Sequence, residues 1–474
     1  MIDLYDIKRY QENNRLEAKL AAGGLPRSIW ETYSAFANTI GGLILLGVEE
    51  SRQKELTIRG LSNPEEYIAE MWEILWNRNR ISVNILEPEH IGIHEVDGKR
   101  IIIVKVPRAD RHQRPVYIGN DPFSGSYRRN GEGDYHCSEE EVRSMLRDNG
   151  DGPIDRRVIV STRRSALCTE TIAAYRERLQ ALHPGHALNG LEEREFLHKL
   201  GAAVPDDDGI LHPTAAGLLL FGWKRQIVKE FPDYVLDYRE YLDDDKEQWS
   251  YRLVSTDDDW SGNLYDFYFT VQARLAQGLH EDIFLEVGEE RVSLALQEAL
   301  TNAVLHADYY DRRGLVIKKY PEKLVVSNPG CLRMSPKEAV QDGVTDPRNA
   351  QLIQMFCLVG VGRCSGSGLQ SIRALWSQSG LTPPKLREEF NPPRITLVLD
   401  FEAIRKQNTA ARQQKEKQKL LDYLLTAVNA DSKTLSEETG IKISRVKSYL
   451  EELTAEGFVV SEGDSQNRPY RLRA

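Results

Sequence analysis

No stretch of this 474-residue sequence approaches the roughly 18 consecutive apolar residues that a membrane-spanning helix requires. Its opening residues, MIDLYDIKRYQENN, also lack the apolar centre of a secretory signal. Cysteine is scarce: Cys137, Cys168, Cys331, Cys357 and Cys364 are scattered, odd in number and show no CxxC spacing. They are expected to be reduced thiols of a cytoplasmic protein, which argues against a disulfide framework or a structural zinc site. Positive charge is in deficit as well. A net charge of −10 disfavours indiscriminate coating of nucleic acid but permits a local basic surface. What is present is the balance of a soluble globular protein, 41% hydrophobic and 28% charged, at a length that predicts three or four domains.

Pattern and punctuation predict a multi-domain α/β (α+β) chain. Residues 1–148 form a mixed unit: a strand-like RLEAKL, a helix after Ser28 as candidate N-cap, the apolar run LILLGV and the strand KRIIIVKV. DNGDGP after residue 147 is a turn cluster suited to a boundary. Residues 149–240 are mostly helical in pattern and suggest a helix-turn-helix-like module. Residues 241–404 return to α/β, with a helix over 291–306 and strands at LVIKKY, KLVVSN and ITLVLDF. Residues 405–418 are polar and without apolar period, a linker running into a helix. In the tail, 405–474, three helices and two short strands follow the winged helix-turn-helix order, the third helix running from Ile443 to Glu456. The segment 402–474 carries about +2 against about −12 for the rest, so cationic charge is concentrated there.

The helix RVSLALQEALTNAVLHADYY sets Glu298, Asn302 and His306 on one stripe, at i, i+4 and i+8, beside an apolar face. A carboxylate and an amide on such a helix are costly unless they meet a partner. An Mg²⁺ ion and water would supply one, Asn302 as a neutral ligand and Glu298 as a base. An ordinary amphipathic helix is the alternative. Downstream, the strand KLVVSN runs into Asn328-Pro329-Gly330, and a glycine-rich GVGRCSGSGL containing Gly366 and Gly368 opens another helix. Backbone N–H groups at such a turn can approach phosphate.

These residues, in this order, resemble the GHKL ATPase superfamily. The resemblance implies a GHKL-like α/β sandwich with ATP and Mg²⁺ as ligands, Glu298 as base and Asn302 on the metal. It also implies contacts from Asn328, Gly330, Gly366 and Gly368 to adenine and phosphates. The chain departs from that family where an aspartate usually reads adenine, since Asn328 followed by Pro329 stands there, so nucleotide binding is expected and efficient hydrolysis is not. RLEAKL followed by SAFANTIGGLILLGVEE resembles the AlbA-2 domain shared with Schlafen proteins. Some Schlafen proteins cleave RNA with three carboxylates, and the resemblance places Glu12, Glu17 and Glu49 at the matching positions, with Glu17 and Glu49 as candidate ligands for Mg²⁺ or Mn²⁺. Solvated strand-end charges are the alternative.

Arg108, Arg111, Arg114, Arg128 and Arg129 could track a phosphate backbone, or form a solvated hairpin surface. In the tail, Lys442, Ser444, Arg445 and Lys447 gather at the start of the third helix, with Arg468 and Arg471 on the wing, where a DNA-reading element meets its site. The combination of domains resembles a family of bacterial regulators and implies a cytoplasmic, ATP-binding transcription regulator that binds DNA and possibly RNA as a homo-oligomer. A metal-dependent nuclease gated by ATP, in antiviral defence, is the enzymatic alternative, and a non-catalytic assembly scaffold the third.

Overall fold

The computed structural model describes the chain except residues 1–3, 5, 6, 8–10, 151, 243–247, 281–288, 335–337, 341–345, 363–367, 380, 391, 401, 428, 462–468 and 474; the side chains of 277–280, 289, 290, 340 and 402–412 are also left undescribed. Among the described residues no helix is long and apolar enough to cross a membrane.

In the N-terminal part, the short strand Leu16–Lys19 pairs in parallel with Gly42–Leu46, in which Ile44, Leu45 and Leu46 are buried. Lys99–Val106 and Ile91–Val96 extend that sheet with antiparallel pairs. The helix Ile29–Asn38 lies against it with Ile29, Tyr33 and Phe36 in the core. Asn38 is buried at the end of this helix, yet its amide donates to Val116 O at 2.8 Å and accepts from Val116 N–H at 2.8 Å. The paired amide pins the chain that leads to the hairpin Tyr127–Asn130 and Gly133–His136. The helix Glu139–Asn149 follows, started by a capping box between Ser138 and Glu141.

The second body is larger than the chain's punctuation suggests. A six-stranded sheet runs in the order Tyr251–Val254, Leu236–Glu240, Leu315–Lys319, Lys323–Pro329, Pro393–Asp400, Lys385–Phe390. Only the second and third strands are parallel to each other. One continuous apolar core reaches from Ile159 to Leu399, joining this sheet to the helices of the middle region. The expected helix-turn-helix-like module at 149–240 is therefore corrected. Its helices Glu193–Lys199 and Ala215–Phe221 are joined by the antiparallel strand pair Ala203–Pro205 with Leu211–Pro213 rather than by a turn, and Ala215–Phe221 is buried along its whole length. The boundary at residue 240 also falls at the end of an internal strand, Leu236–Glu240.

The tail has its own core, in which Leu420, Leu435, Val446, Leu450 and Val459 meet. The expected linker at 405–418 is part of one helix, Glu402–Ala427. Polar sequence without apolar period forms helix here because its C-terminal half is anchored by Leu420 and Leu424. The helices Ser432–Thr439 and Ile443–Ala455 and the antiparallel pair Val459–Ser461 with Tyr470–Leu472 complete it.

Candidate nucleotide and carboxylate sites

The helix Glu289–His306 packs its Val292, Leu296, Ala299 and Ala303 into the large core. Its polar stripe faces a cavity of about 370 Å³, whose walls include Glu298, Asn302, His306, Asn328, Arg348 and Gly368. Residues predicted from the sequence as one site thus meet, from three elements far apart in the chain. Asn302 Nδ2 is buried with no hydrogen-bond partner among the described residues, and such a group is costly unless something meets it. His306 is half-buried on the cavity wall; desolvation first, then the nearby Arg348 and Arg333 guanidiniums, push its pKa down to about 4, so the ring is neutral near pH 7.

Two glycines are explained by close approach. Gly330 has φ +96°, and a Cβ there would stand 2.9 Å from Arg348 Nη1. A Cβ on Gly368 would lie 2.6 Å from both amide atoms of Asn302 and 2.9 Å from Glu298 Oε1. The start of the helix Gly368–Gln378 is therefore pressed against the Glu298–Asn302 stripe, where its first N–H groups add to the donors. An orphaned N–H donor, a helix N-terminus and this tight glycine contact fit the phosphates of a nucleotide, while the Glu298 carboxylate beside them is an oxygen donor of the kind Mg²⁺ takes. Gly366 lies outside the described residues. So does the partner of Cys357, a wall residue of the cavity that is disulfide-bonded, against the expectation of reduced thiols throughout; scatter along the sequence does not report proximity in the fold. Cys137, Cys168 and Cys331 are free.

The N-terminal carboxylates gather differently from expectation. Glu12 Oε1 accepts from Ala18 N–H at 2.9 Å, and Glu17 is held by Lys19 Nζ at 2.7 Å and Arg129 Nη2 at 2.9 Å. Glu49 is not with them. Successive residues of the strand Val48–Glu50 point to opposite faces, and Glu49 turns outward to an exposed ion pair with Arg59 at 2.7 Å. Glu50 takes the inner place, its Oε1 buried without a hydrogen-bond partner among the described residues. Burial, with repulsion from Glu17 and Glu50, raises the Glu12 pKa to about 7, while Ala18 N–H and Arg129 oppose the rise. Among the described residues no three His, Cys, Asp or Glu side chains are grouped to hold a metal ion.

Comparison with known proteins matches three separate stretches of the chain. Residues 4–138 match the family described as Schlafen, AlbA_2, and residues 313–397 match the one described as Putative ATP-dependent DNA helicase recG C-terminal. The chain is a multi-domain α/β protein with an AlbA_2 N-terminal domain and an ATPase-like domain. Residues 143–237 match a domain of unknown function, DUF8451. None of the curated proteins matches. Among solved structures, the DIP2311 protein from Corynebacterium diphtheriae is similar at 16% identity, over 97% of this chain and 94% of that one, with a TM-score of 0.39. The N-terminal domain of a putative ATP-dependent DNA helicase RecG-related protein from Nitrosomonas europaea is 30% identical over 29% of this chain and 94% of its own, with a TM-score of 0.23. The domain matches point to a nucleotide-dependent function related to nucleic acid.

The basic residues divide sharply. In the AlbA_2 domain, Arg129 is buried between Glu17 and Asp134, and Arg128 stands 3.0 Å from Glu141. Arg108 and Arg111 likewise face Glu388 and Asp346, and Arg114 is 4% exposed. The expected phosphate-tracking surface is corrected on this ground: these guanidiniums neutralise buried carboxylates or lie buried themselves. In the tail, Lys442, Ser444, Arg445 and Lys447 are all exposed at the start of Ile443–Ala455, with Arg471 exposed on the strand pair. Arg445 lies 3.5 Å from Glu416, and Arg468 is outside the described residues. Sequence reasoning missed Glu50 and the role of Arg129. Strand alternation carried the signal for Glu50, since it shares the face of Val48; for Arg129 the local signal was Asp134, opposite it in the hairpin, while its other partner, Glu17, is remote in sequence.

Proposed function

We propose that the protein is a nucleotide-responsive nucleic-acid-binding regulator: ATP with Mg²⁺ occupies the cavity beside Asn302, and the tail docks duplex DNA through Ile443–Ala455. The observation that carries this reading is the convergence of Glu298, Asn302, Asn328 and Gly368 on one cavity with the Asn302 amide unpartnered. Asn302 would hold Mg²⁺ through its carbonyl oxygen, and Asn328 would accept from the adenine amino group. The exposed cationic cluster at Lys442, Arg445 and Lys447 supports the DNA part. The test is thermal: millimolar Mg-ATP raises the melting temperature of the wild type, because a ligand of the native state stabilises it. Asn302→Ala removes the Mg²⁺-dependent part of that rise. A wild type indifferent to Mg-ATP overturns the reading.

A second reading is a metal-dependent nuclease in the AlbA_2 domain, favoured by the buried, partnerless Glu50 Oε1 and the raised pKa of Glu12. As they stand, Glu12, Glu17 and Glu50 are not grouped as three metal ligands, and Glu17 is held by Lys19 and Arg129. This reading therefore requires Glu12 and Glu50 to turn toward an Mg²⁺ or Mn²⁺ ion, which would supply activated water to a phosphodiester. Labelled RNA and DNA incubated with Mn²⁺ separate the two readings: cleavage lost in Glu50→Gln but kept in Glu49→Gln supports the enzyme, and a mobility shift without cleavage supports the regulator.

A further inference from the structure

Among the described residues, the contacts that join the AlbA_2 domain and the helix Glu139–Asn149 that follows it to the region of the nucleotide cavity include these three. The first is the best built. Arg348 is 4% exposed; its Nε donates to Asp148 Oδ1 at 3.0 Å and its Nη2 to Asp148 Oδ2 at 2.7 Å, a two-pronged grip on the end of the helix Glu139–Asn149. The remaining donors of the same guanidinium hold His306 O at 2.8 Å and Cys331 O at 3.1 Å, both on cavity-lining residues. In the second, Arg108 grips Glu388 with bonds of 2.6 and 2.9 Å and also donates to Leu332 O at 2.8 Å. Leu332 N–H returns to Glu388 Oε1 at 2.8 Å, so this wall segment is bracketed from both sides. In the third, Ser144 Oγ and Arg147 Nη2 donate to Asp308 Oδ2, at 3.0 and 3.1 Å, just beyond the helix that carries Glu298 and Asn302.

A buried guanidinium held by a fixed carboxylate has a single arrangement, and breaking it leaves an uncompensated charge. Asp148 lies on the helix Glu139–Asn149, which follows the AlbA_2 match and is tied to it by Arg128–Glu141 and by Arg111 donating to Asp148 O. We infer that Asp148 is a positioning residue of the nucleotide cavity, and that nucleotide occupancy is coupled through Arg348–Asp148 and this helix to the AlbA_2 domain. The inference rests on the nucleotide reading above and names the regulation of that site. Its sign follows from the charges around Cys331. Arg108, Arg111, Arg114, Arg333 and Arg348 face Asp148, Asp346 and Glu388, and Arg114 has no carboxylate partner among the described residues. The seam carries more positive than negative charge, and Arg333 and Arg348 also line the cavity. A polyphosphate entering there supplies the missing negative charge and favours the joined seam. By linkage, a seam held together favours the polyphosphate equally.

The experiment uses the full chain, Mg-ATP as the probe, and amide hydrogen exchange with nucleotide titration as readouts. In the wild type, Mg-ATP slows exchange in Glu289–His306 and also in Glu139–Asn149. Asp148→Asn unseats Arg348, and because this lost positioning outweighs the positive charge that the substitution adds, nucleotide binding weakens by about tenfold and the slowing is confined to the cavity segments. Loss of stability in the unliganded variant would follow from any structural ion pair, so the ligand-induced increment is what discriminates. If Asp148→Asn does not fold, Ser144→Ala, which removes one neutral hydrogen bond at Asp308, gives a smaller loss of affinity in the same direction. Slowing in the cavity segments without slowing in Glu139–Asn149, or an unchanged nucleotide Kd in Asp148→Asn, overturns the coupling and leaves the nucleotide reading standing. No response to Mg-ATP anywhere in the wild type overturns the nucleotide reading and the coupling with it.

Discussion

At the scale of single residues, Glu12 shows what crowding carboxylates costs. Its pKa is raised to about 7 from 4.5, chiefly by burial and then by Glu17 and Glu50. The unfolded chain releases this proton near pH 4.5, while the folded chain keeps it until about pH 7. The group is thus neutral in both states below that window, and its contribution to stability falls as pH rises through it. Glu12→Gln keeps an acceptor for Ala18 N–H and removes the titration. The variant is expected to be more stable than wild type at pH 8 by about 1 kcal/mol, discounted for solvent access, and equal to it near pH 4. Melting temperatures of the two proteins across pH 4–8 check this; parallel curves would remove Glu12 from the account. The same comparison in Glu50→Gln should give a smaller change, because Glu50 acts only through repulsion.

At the scale of elements, the contact between Gly368–Gln378 and Glu289–His306 is the most demanding. Gly368→Ala must displace Asn302 and Glu298, both under 3 Å from the new Cβ. A cost of about 1–3 kcal/mol is expected from overpacking, together with loss of the Mg-ATP melting shift. Urea unfolding with and without nucleotide measures both, and a retained shift would place the phosphates elsewhere. For the helix Ile443–Ala455, Arg445→Ala with Lys447→Ala should weaken duplex DNA binding and flatten the dependence of log K on log salt by roughly 2. Unchanged affinity and slope would assign the tail to protein contacts. These elements were legible beforehand because each declares itself locally: the helix stripe by its period, the strands Lys323–Pro329 and Pro393–Asp400 by apolar alternation, the tail helix by Gly440 in a left-handed turn before it. What was illegible depended on remote partners. The strand Leu236–Glu240 reads as the end of a helical region, since Asp237 interrupts its apolar character. In the fold that aspartate is neutralised by Arg239 and Arg252, the latter from the adjacent strand. Five arginines read as a phosphate-binding surface because neither the remote carboxylates that meet Arg108, Arg111 and Arg128 nor the burial of Arg114 and Arg129 can be seen from the local sequence.

At the scale of the whole molecule, the cores decide which parts can stand alone. The core that starts at Ile159 and ends at Leu399 passes through the middle helices and the six-stranded sheet without a break. Cutting the chain at residue 240 would divide it there. Leu236–Glu240 would lose Tyr251–Val254 on one side and Leu315–Lys319 on the other, exposing both its ladders and the buried Leu236 and Tyr238. Fragments 1–240 and 241–474 are therefore expected to aggregate or remain partly unfolded, because unpaired internal edges and exposed apolar surface both invite association. A fragment beginning near Lys415 keeps the tail's own core, from Leu420 to Tyr470, and loses few contacts. At about 60 residues such a core is small but sufficient for some domains. The fragment should unfold in one cooperative transition, at a temperature that does not respond to Mg-ATP. Calorimetry of the three fragments is the check. A soluble, cooperatively folded 241–474 would mean that the middle helices are dispensable to the sheet, and the ATPase-like domain would then begin after residue 240.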